Sequence, residues 1–382
     1  MIIESFRRTP QYQRLRELVP APGDQLTITG LAGSSPVVLA AALAEEGFDR
    51  SIALIAPDAA TAEEVEVDLD ILLAGRARIF PQRESVHPEL DDPHVEISAK
   101  RVDAIQALLS GRAKILVTSG RALSERFMAP ANWSGLEIEL AGGGHIVRDQ
   151  LIETLEKSGY QKVPMVEAVG EYSVRGGIVD VFTGTHLDPI RLELWGDRIE
   201  SIRTFDVLDQ RSLAHLDGVQ ILPVRFPDPE PDNTTRDSAS SGTSSLLEIL
   251  AGSTLIIQID PQGEDTARRR GWDELARRTE TPEKYQHAPE SVGLLLRRFG
   301  VVRVGDSASA DVDFDTRPPA NVDRKIERLL AAVDEAAREG GKILILCDND
   351  GQLQRLEEIL EDAADATTLD KIILGLGPLA GG

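Results

Sequence analysis

The chain has 382 residues, of which 41% are hydrophobic and 4% aromatic, and its 64 acidic and 41 basic residues give a formal net charge of −23. This length suggests two or three domains, each able to bury a core, and the hydrophobic content excludes a mostly disordered chain. Such a surplus of carboxylates disfavours non-specific binding of DNA or an anionic membrane across the whole surface. A salt-adapted surface would carry the same surplus, so charge alone names no partner.

The sequence also indicates the cellular compartment. The single cysteine, Cys347, cannot form an internal disulfide, which fits a reducing cytoplasm. No apolar stretch of signal-peptide length opens the chain, and the longest apolar run, 37–44, has about eight residues where a membrane span needs about 20. We therefore expect a cytoplasmic protein that does not cross a membrane. The histidines lack ligand spacing, so no metal site is predicted.

The first third of the chain alternates strands and helices. Residues 24–56 are typical of a strand, loop, helix and strand, with Pro36 in the first helical turn and Gly47 as the helix C-cap. Further helices are predicted at 61–73, 96–110 and 121–127, and strands at 78–80 and 114–118. This alternation favours a parallel sheet covered by helices.

The pattern changes after Pro130. Residues 136–140 alternate with period two, a helix is predicted at 148–158, and glycine-bearing turns separate four short strands. These strands are predicted at 172–175, 178–182, 190–195 and 199–205. They indicate a small antiparallel α+β domain. Residues 227–245, rich in Pro, Asp, Ser and Thr, are typical of an exposed linker.

Beyond the linker, the α/β pattern returns. A strand at 253–259, a helix at 263–279 and a strand at 301–304 could complete the first sheet. A proline-marked joint at 317–319 precedes a helix at 322–339, a strand at 342–347, a helix at 351–361 and a strand at 371–374. The predicted fold class is thus α/β: a parallel-sheet domain of the phosphate-loop, helicase-like type with an inserted antiparallel domain. The predicted boundaries are 1–135 and 225–317 for domain 1, 136–224 for domain 2, and 318–382 for a third α/β domain. We expect this third domain to be incomplete, because two strands are too few for an independently stable sheet.

A glycine-bearing loop follows the first strand, where a phosphate-binding loop would lie. Its candidate residues are Gly30, Gly33, Ser34, Ser35, Pro36 and Val37. A working loop needs a lysine for the β- and γ-phosphates and a Ser or Thr for Mg²⁺, but Pro36 and Val37 hold these positions. Proline also removes an N–H group that would cradle the anion. We therefore expect a degenerate loop, no catalytic residue and no cofactor in this region.

The antiparallel segment carries the clearest candidate site. Period two places Arg191, Glu193 and Trp195 on one face of a strand, with Leu192 and Leu194 toward the core. Trp and Arg are enriched at the energetic centres of protein interfaces. A solvated face with a half-buried tryptophan would show the same pattern.

The same segment resembles the UvrB-homology region at the N-terminus of bacterial transcription-repair coupling factors (Mfd). The residues that carry the resemblance are Gly170-Glu171-Tyr172, Arg175-Gly176, Asp180-Val181-Phe182, Arg191-Leu192-Glu193 and 196–212. UvrB itself is the near alternative. However, UvrB has a working phosphate loop and a tyrosine-rich DNA hairpin, whereas residues 80–94 contain no tyrosine.

The resemblance implies a domain 1 split around domain 2, and a domain 2 that docks UvrA, the damage-recognition ATPase of nucleotide excision repair. Matching positions give Arg175, Arg191 and Trp195 as the UvrA contacts, with Trp195 where the family commonly has Phe. The ATP-dependent DNA-translocating motor and the contacts with RNA polymerase and DNA would lie outside this chain. We therefore expect a non-catalytic module that recruits UvrA. The alternatives are an active UvrB-like helicase module that binds DNA damage, and a regulatory clamp on the motor.

Overall fold

A computed structural model describes residues 2–45, 48–85, 94–133, 135–225, 242–305, 309–318, 322, 325–338, 343–347, 349–363, 369 and 371–377. The predicted C-cap Gly47, the predicted linker up to residue 241, and residues 323–324 and 339 of the predicted helix 322–339 lie outside these ranges.

The helices and strands follow one another along the whole described chain. The helices are α1 (Ile2–Arg7), α2 (Pro10–Leu18), α3 (Ser35–Glu45), α4 (Ala59–Leu73), α5 (Val95–Leu109), α6 (Gly120–Ser124), α7 (Arg148–Lys157), α8 (Leu246–Ile249), α9 (Pro261–Arg278), α10 (Pro289–Leu296), α11 (Ile326–Arg338) and α12 (Asp350–Ala363). The strands are β1 (Gln25–Thr29), β2 (Ile52–Ala56), β3 (Ala77–Phe80), β4 (Ile115–Ser119), β5 (Phe127–Met128), β6 (Ile138–Ala141), β7 (Gln161–Lys162), β8 (Glu171–Arg175), β9 (Ile178–Val181), β10 (Ile190–Trp195), β11 (Arg198–Phe205), β12 (Ser212–His215), β13 (Gly218–Ile221), β14 (Thr243–Ser244), β15 (Leu255–Ile259), β16 (Gly300–Val304), β17 (Val312–Asp313), β18 (Ile343–Cys347) and β19 (Ile372–Leu376).

A seven-stranded parallel sheet organises the first domain, in the order β17-β1-β16-β15-β2-β4-β3. The strands on both sides of the inserted domain, β2 and β15, pair directly, with Ile52 opposite Leu255. All five residues of β2 are buried, as are those of β4, because helices cover both faces. The predicted α/β fold with an inserted domain is confirmed.

Two apolar cores lie on the two faces of this sheet. One contains α3 and α4 with Ile52, Leu54 and Val117, and the other contains α5, α6 and α8 with Ile55 and Leu116. Helix α3 is apolar on every side, and every residue from Pro36 to Ala44 is buried. The helix that follows the glycine loop therefore contributes to the core.

The helix predicted at 121–127 is wrong at its C-terminal end. Helix α6 ends at Ser124, and Glu125 is already extended, with ψ of 138°. The Glu125 carboxylate is fully buried and bonded to Arg101, while Phe127 pairs with Ser244 in a short antiparallel contact. Tertiary contacts override the local helical pattern here, and residues 243–244 at the end of the predicted linker lie in a strand.

The inserted domain is built on a six-stranded sheet in the order β12-β11-β10-β9-β8-β7, antiparallel except for the β7–β8 pair. Strands β6 and β13 form a separate antiparallel pair. Helix α7 packs on one face through Leu151 and Leu155, which meet Val179, Leu192 and Ile202 in a common core. The other face of the sheet is therefore turned away from α7.

The inserted domain contacts α5 of the first domain through backbone. A Cβ atom on Gly184 would lie 2.6 Å from the Cβ of Ala99, and one on Gly170 would lie 2.4 Å from Cγ1 of Val95. Neither position has room for a side chain, so the glycines allow the two domains to meet this closely.

The last described elements form a separate parallel pair, β18 and β19, with Ile343 opposite Ile372. Helix α12 contacts both strands. Among the described residues, no helix is long and apolar enough to cross a membrane.

Candidate protein-docking face and phosphate-binding loop

Alternation along β8 to β11 sorts their side chains between the α7 core and the opposite surface, which we call the outer face. The outer face consists of Ser173, Arg175, Ile178, Asp180, Arg191, Glu193, Trp195, Ser201, Arg203 and Phe205. The antiparallel register aligns these residues in rows: Asp180, Arg191 and Arg203 face one another across three strands. The predicted alternation on 190–195 is thus confirmed, with Leu192 and Leu194 in the core.

Trp195 lies at the hairpin end of the outer face and is 80% exposed. It stands opposite Arg198, whose side chain is also largely exposed, across the Gly196-Asp197 turn. An isolated indole with this much surface in water is costly, because it leaves a large apolar area hydrated. It is the largest apolar side chain that the described part of the inserted domain presents to solvent.

Asp180 joins the two predicted arginines. Its carboxylate is 1% exposed and accepts hydrogen bonds from Arg191 Nε (2.7 Å) and Nη2 (2.9 Å), and from Arg175 Nη2 (2.6 Å). The hydrogen bond to Asp180 raises the pKa of Arg191 above its usual value. Two guanidinium groups thus share one carboxylate, which leaves a positive charge on this part of a strongly acidic chain.

The two arginines differ in how much of each side chain reaches the surface. The Arg175 side chain is 48% exposed although its guanidinium is bonded to Asp180. The Arg191 side chain is 13% exposed, and its guanidinium also lies 4.2 Å over the ring of Phe205 and donates to Gln210. The outer face therefore presents Arg175 and Trp195, while Arg191 is held inside a network.

Two further polar residues of the outer face, Ser201 and Arg203, are absent from the sequence prediction, and so is Arg148 of α7 at the edge of this face. Arg203 pairs with Glu193, which also accepts a 2.8 Å hydrogen bond from Ser201. Arg148, at the start of α7, donates to the carbonyl of Gly176 beside Arg175 (3.2 Å). Period two on β11 indicates Arg203, whereas no local pattern places Arg148, which reaches this edge only through packing.

The glycine loop joins β1 to α3, the position in the fold where a phosphate-binding loop would lie. Gly30 (φ +69°) and Gly33 (φ +55°) are left-handed, and α3 begins at Ser35, with Pro36 in its first turn. Val37 is buried in the core. Pro36 thus stands where a working loop has the lysine ammonium, and Val37 stands where it has the metal-binding hydroxyl.

The chain covers this loop with residues 311–316, which we call the strap. Thr316 donates from its backbone N–H (2.7 Å) and its hydroxyl (2.8 Å) to the Gly30 carbonyl, and its hydroxyl accepts from the Ala32 N–H (2.7 Å). A Cβ atom on Gly30 would lie 2.2 Å from Asp313 Oδ1 and 2.5 Å from the Asp315 nitrogen. A loop N–H group that could hold an anion is therefore already bonded, with carboxylates close by.

Apolar packing anchors the strap. Phe314 stacks on Phe6 of α1 with ring centroids 5.4 Å apart and planes 9° apart, and Val312 pairs with Ile28. A cavity of about 240 Å³ remains beside the loop, and its described lining residues, Gly30, Leu31, Ala32, Val304, Gly305 and Thr316, carry no charge. This volume is below the roughly 300 to 1,000 Å³ of typical small-molecule sites. Among the described residues, no group of three or more His, Cys, Asp or Glu side chains is placed to hold a metal ion.

An inserted antiparallel domain that presents a tryptophan and an arginine beside an internally bonded carboxylate has the features of a protein-interaction domain. Residues 138–226 match the family described as the UvrB interaction domain. The predicted resemblance to the UvrB-homology region is thereby confirmed for this part of the chain.

The chain is also similar to transcription-repair-coupling factors. It is 34% identical to that of Bacillus subtilis over 227 residues, which are 58% of this chain and 19% of the relative. It is 34% identical to that of Myxococcus xanthus over 211 residues (53% and 18%), and 29% identical to that of Mycobacterium tuberculosis over 223 residues (56% and 18%). The aligned part thus spans about a fifth of the length of these relatives.

Proposed function

We propose that the inserted domain docks UvrA and that this region recruits it, without catalysis of its own, as part of a cytoplasmic transcription-repair coupling factor. The observation that carries the proposal is the exposed Trp195 on the same outer face as the Asp180-bound arginines, inside a UvrB interaction domain. RNA polymerase and DNA are assigned to parts of the coupling factor outside this chain.

Trp195 and Arg175 make different contributions to the proposed binding. The indole supplies apolar area whose burial drives association, and such a central aromatic typically accounts for about 2 kcal/mol or more on truncation. Arg175 offers its exposed guanidinium to a partner carboxylate, and its bond to Asp180 keeps the side chain ordered before binding. The electrostatic pairing raises the association rate and fixes the register of the complex.

The proposal is tested by calorimetric titration of purified UvrA with the chain and its variants. We expect Trp195→Ala and Arg175→Glu each to weaken binding at least about tenfold, with unchanged circular dichroism. Leu294→Ala is the matched control, because Leu294 is an exposed apolar residue on α10 of the first domain. Wild-type affinity in both outer-face variants would refute the docking role.

We further propose that the glycine loop neither binds nor hydrolyses ATP, which would exclude an active UvrB-like helicase module. Pro36, Val37 and the strap support this, because together they remove the cation, the metal ligand and a backbone donor from the loop. Titration with ATP and Mg²⁺ is expected to give no heat of binding. Saturable binding that Gly33→Ala abolishes would instead favour the helicase alternative.

A further inference from the structure

The turn between β11 and β12, residues 206–211, is rigid through its own hydrogen bonds. Asp206 Oδ1 accepts from the backbone N–H of Leu208 (2.7 Å) and of Asp209 (3.1 Å), and the Gln210 N–H donates to the Asp206 carbonyl (2.9 Å). Gln210 is left-handed, with φ of +62°, and its side-chain amide donates to the Val207 carbonyl (2.9 Å). The turn is thus fixed in one shape.

Arg191 attaches this turn to the outer face. Its Nη1 donates to the Gln210 carbonyl (3.3 Å) and its Nη2 to Gln210 Oε1 (3.0 Å), while Nε and Nη2 hold Asp180. Phe205 lies beneath the guanidinium and is fully buried, although it points to the outer face. Arg191, which the turn holds through Gln210, therefore covers Phe205.

Leu208 projects from this fixed turn and is 94% exposed. An exposed leucine on a flexible loop is unremarkable, but here hydrogen bonds on both sides hold its backbone in place. With its backbone already held, only the side-chain rotamer remains to be fixed, so burying Leu208 in an interface costs less conformational entropy than burying a leucine of a flexible loop.

Arg191 and Trp195 stand four residues apart on β10, which is about 13 Å at the rise of a strand. A typical interface buries roughly 800 Å² on each partner, enough to cover both ends of this strand. A single interface of this size could therefore cover both Trp195 and the turn that Arg191 holds.

We propose that Leu208 is a second apolar contact for the partner that docks at Trp195, and that Arg191 is a positioning residue that holds Leu208 in place. The inference rests on the proposed docking function. The hydrogen bonds of Arg191 are used within the chain, so it contributes to docking through the turn, and Arg175 supplies the charge offered to the partner.

The test measures UvrA binding by the full chain with Leu208→Ala, Leu208→Asp and Arg191→Lys, and with Leu294→Asp as the control for a new surface charge. We expect Leu208→Ala to weaken binding about tenfold, and Leu208→Asp to weaken it further, while Leu294→Asp binds like wild type. Arg191→Lys keeps the charge but loses the paired geometry to Asp180 and Gln210, so it too is expected to weaken binding.

Two further measurements distinguish a positioning role of Arg191 from direct contact with the partner. Amide exchange at 206–211 is expected to accelerate in Arg191→Lys. The Arg191→Lys, Leu208→Ala double variant is expected to bind little worse than the more affected single variant, because both act through one contact. Gln210→Gly removes the side-chain acceptor but keeps the left-handed backbone, and is expected to reproduce the faster exchange.

The outcomes separate this inference from the proposed function. Wild-type affinity in both Leu208 variants, while Trp195→Ala is impaired, would refute the Leu208 contact alone. Additive effects of Arg191→Lys and Leu208→Ala would refute the positioning role. If Trp195→Ala also bound normally, the docking function itself would fail. A change confined to self-association in sedimentation would assign Leu208 to a second copy of the chain and overturn the inference.

Discussion

The outer face of the inserted domain and the glycine loop of the first domain use similar polar groups in opposite ways. On the outer face, Asp180 bonds two arginines but leaves much of Arg175 in solvent. At the glycine loop, Thr316 bonds both the Ala32 N–H and the Gly30 carbonyl, and acidic residues lie against the loop. The loop groups are bonded within the chain and are unavailable to a ligand, whereas Arg175 bonds Asp180 and still has an exposed side chain that can bind a partner.

Among these predictions, removing the charge of Asp180 is expected to have the largest effect on stability and on UvrA binding. Asp180→Asn leaves Arg191, whose side chain is only 13% exposed, without its ion-pair partner and should lower the free energy of unfolding by about 3 kcal/mol, while weakening UvrA binding. Denaturant titration and calorimetry measure the two effects.

Glu193→Gln is the matched control for Asp180→Asn. It neutralises a neighbouring outer-face carboxylate that pairs with Arg203 but is about one-third exposed, so its expected cost is below about 1 kcal/mol. Equal losses in the two variants would contradict a central role for Asp180.

A side chain at Gly30 should displace the strap. In Gly30→Ala, a Cβ would meet Asp313 and the Asp315 backbone as well as requiring a left-handed alanine, so we expect a loss of roughly 2 to 4 kcal/mol in stability. Gly111→Ala is the control, because its φ is +74° and nothing lies within 4 Å of the added atom. Amide exchange at the strap should increase only in Gly30→Ala, and equal stability losses would argue against steric displacement.

The Thr316 hydroxyl should contribute less. Thr316→Val removes the acceptor for Ala32 N–H and one donor to Gly30, with an expected cost of about 1 kcal/mol, while Thr316→Ser should remain near wild type. Neither variant is expected to gain ATP affinity, because Pro36 and Val37 still replace the required side chains. ATP binding by Thr316→Val would show that the strap alone blocks the loop.

The smallest expected effect depends on pH. Burial lowers the pKa of His287, whose ring lies 3.0 Å from Ser245 Oγ. Because its folded pKa is below its unfolded value of about 6.5, its contribution to stability is present above that pH and is lost as the pH falls toward the folded pKa. Between pH 7.5 and 5.5, His287→Asn should therefore lose less stability than wild type. An equal loss would contradict this role.

The sequence was most informative where one residue pattern dominates. Continuous apolar runs indicate β2 and β4, and period two on 190–195 places Trp195 outside and Leu192 inside, as the structure has them. The absence of the required Lys and Thr from the glycine loop can also be read directly from the sequence, which has Pro36 and Val37 at these positions. These features depend on neighbours only a few residues apart.

Contacts between distant residues account for what the sequence did not reveal. Thr316 of the strap bonds Gly30 from about 286 positions away in the sequence. Arg191 on β10 bonds Gln210 in the turn after β11. Neither pair of residues is marked by a local sequence pattern. The predicted end of α6 was wrong for the same reason. The buried Glu125 carboxylate bonds to the distant Arg101, and this contact, not the local helical pattern, sets the backbone there. Whether Arg175, Arg191 and Trp195 contact UvrA stays a prediction.

The contact between Gly184 and Ala99 restricts how this protein can change over time. With only 2.6 Å available for an added carbon, a larger residue at 184 requires the helix and the inserted domain to separate, and a larger residue at 99 does the same from the opposite side. Substitutions at these two small residues are therefore interdependent, whereas the exposed side chains of Trp195 and Leu208 can vary with whatever partner surface they meet. The junction should stay nearly constant among descendants of this sequence while the docking surface diversifies.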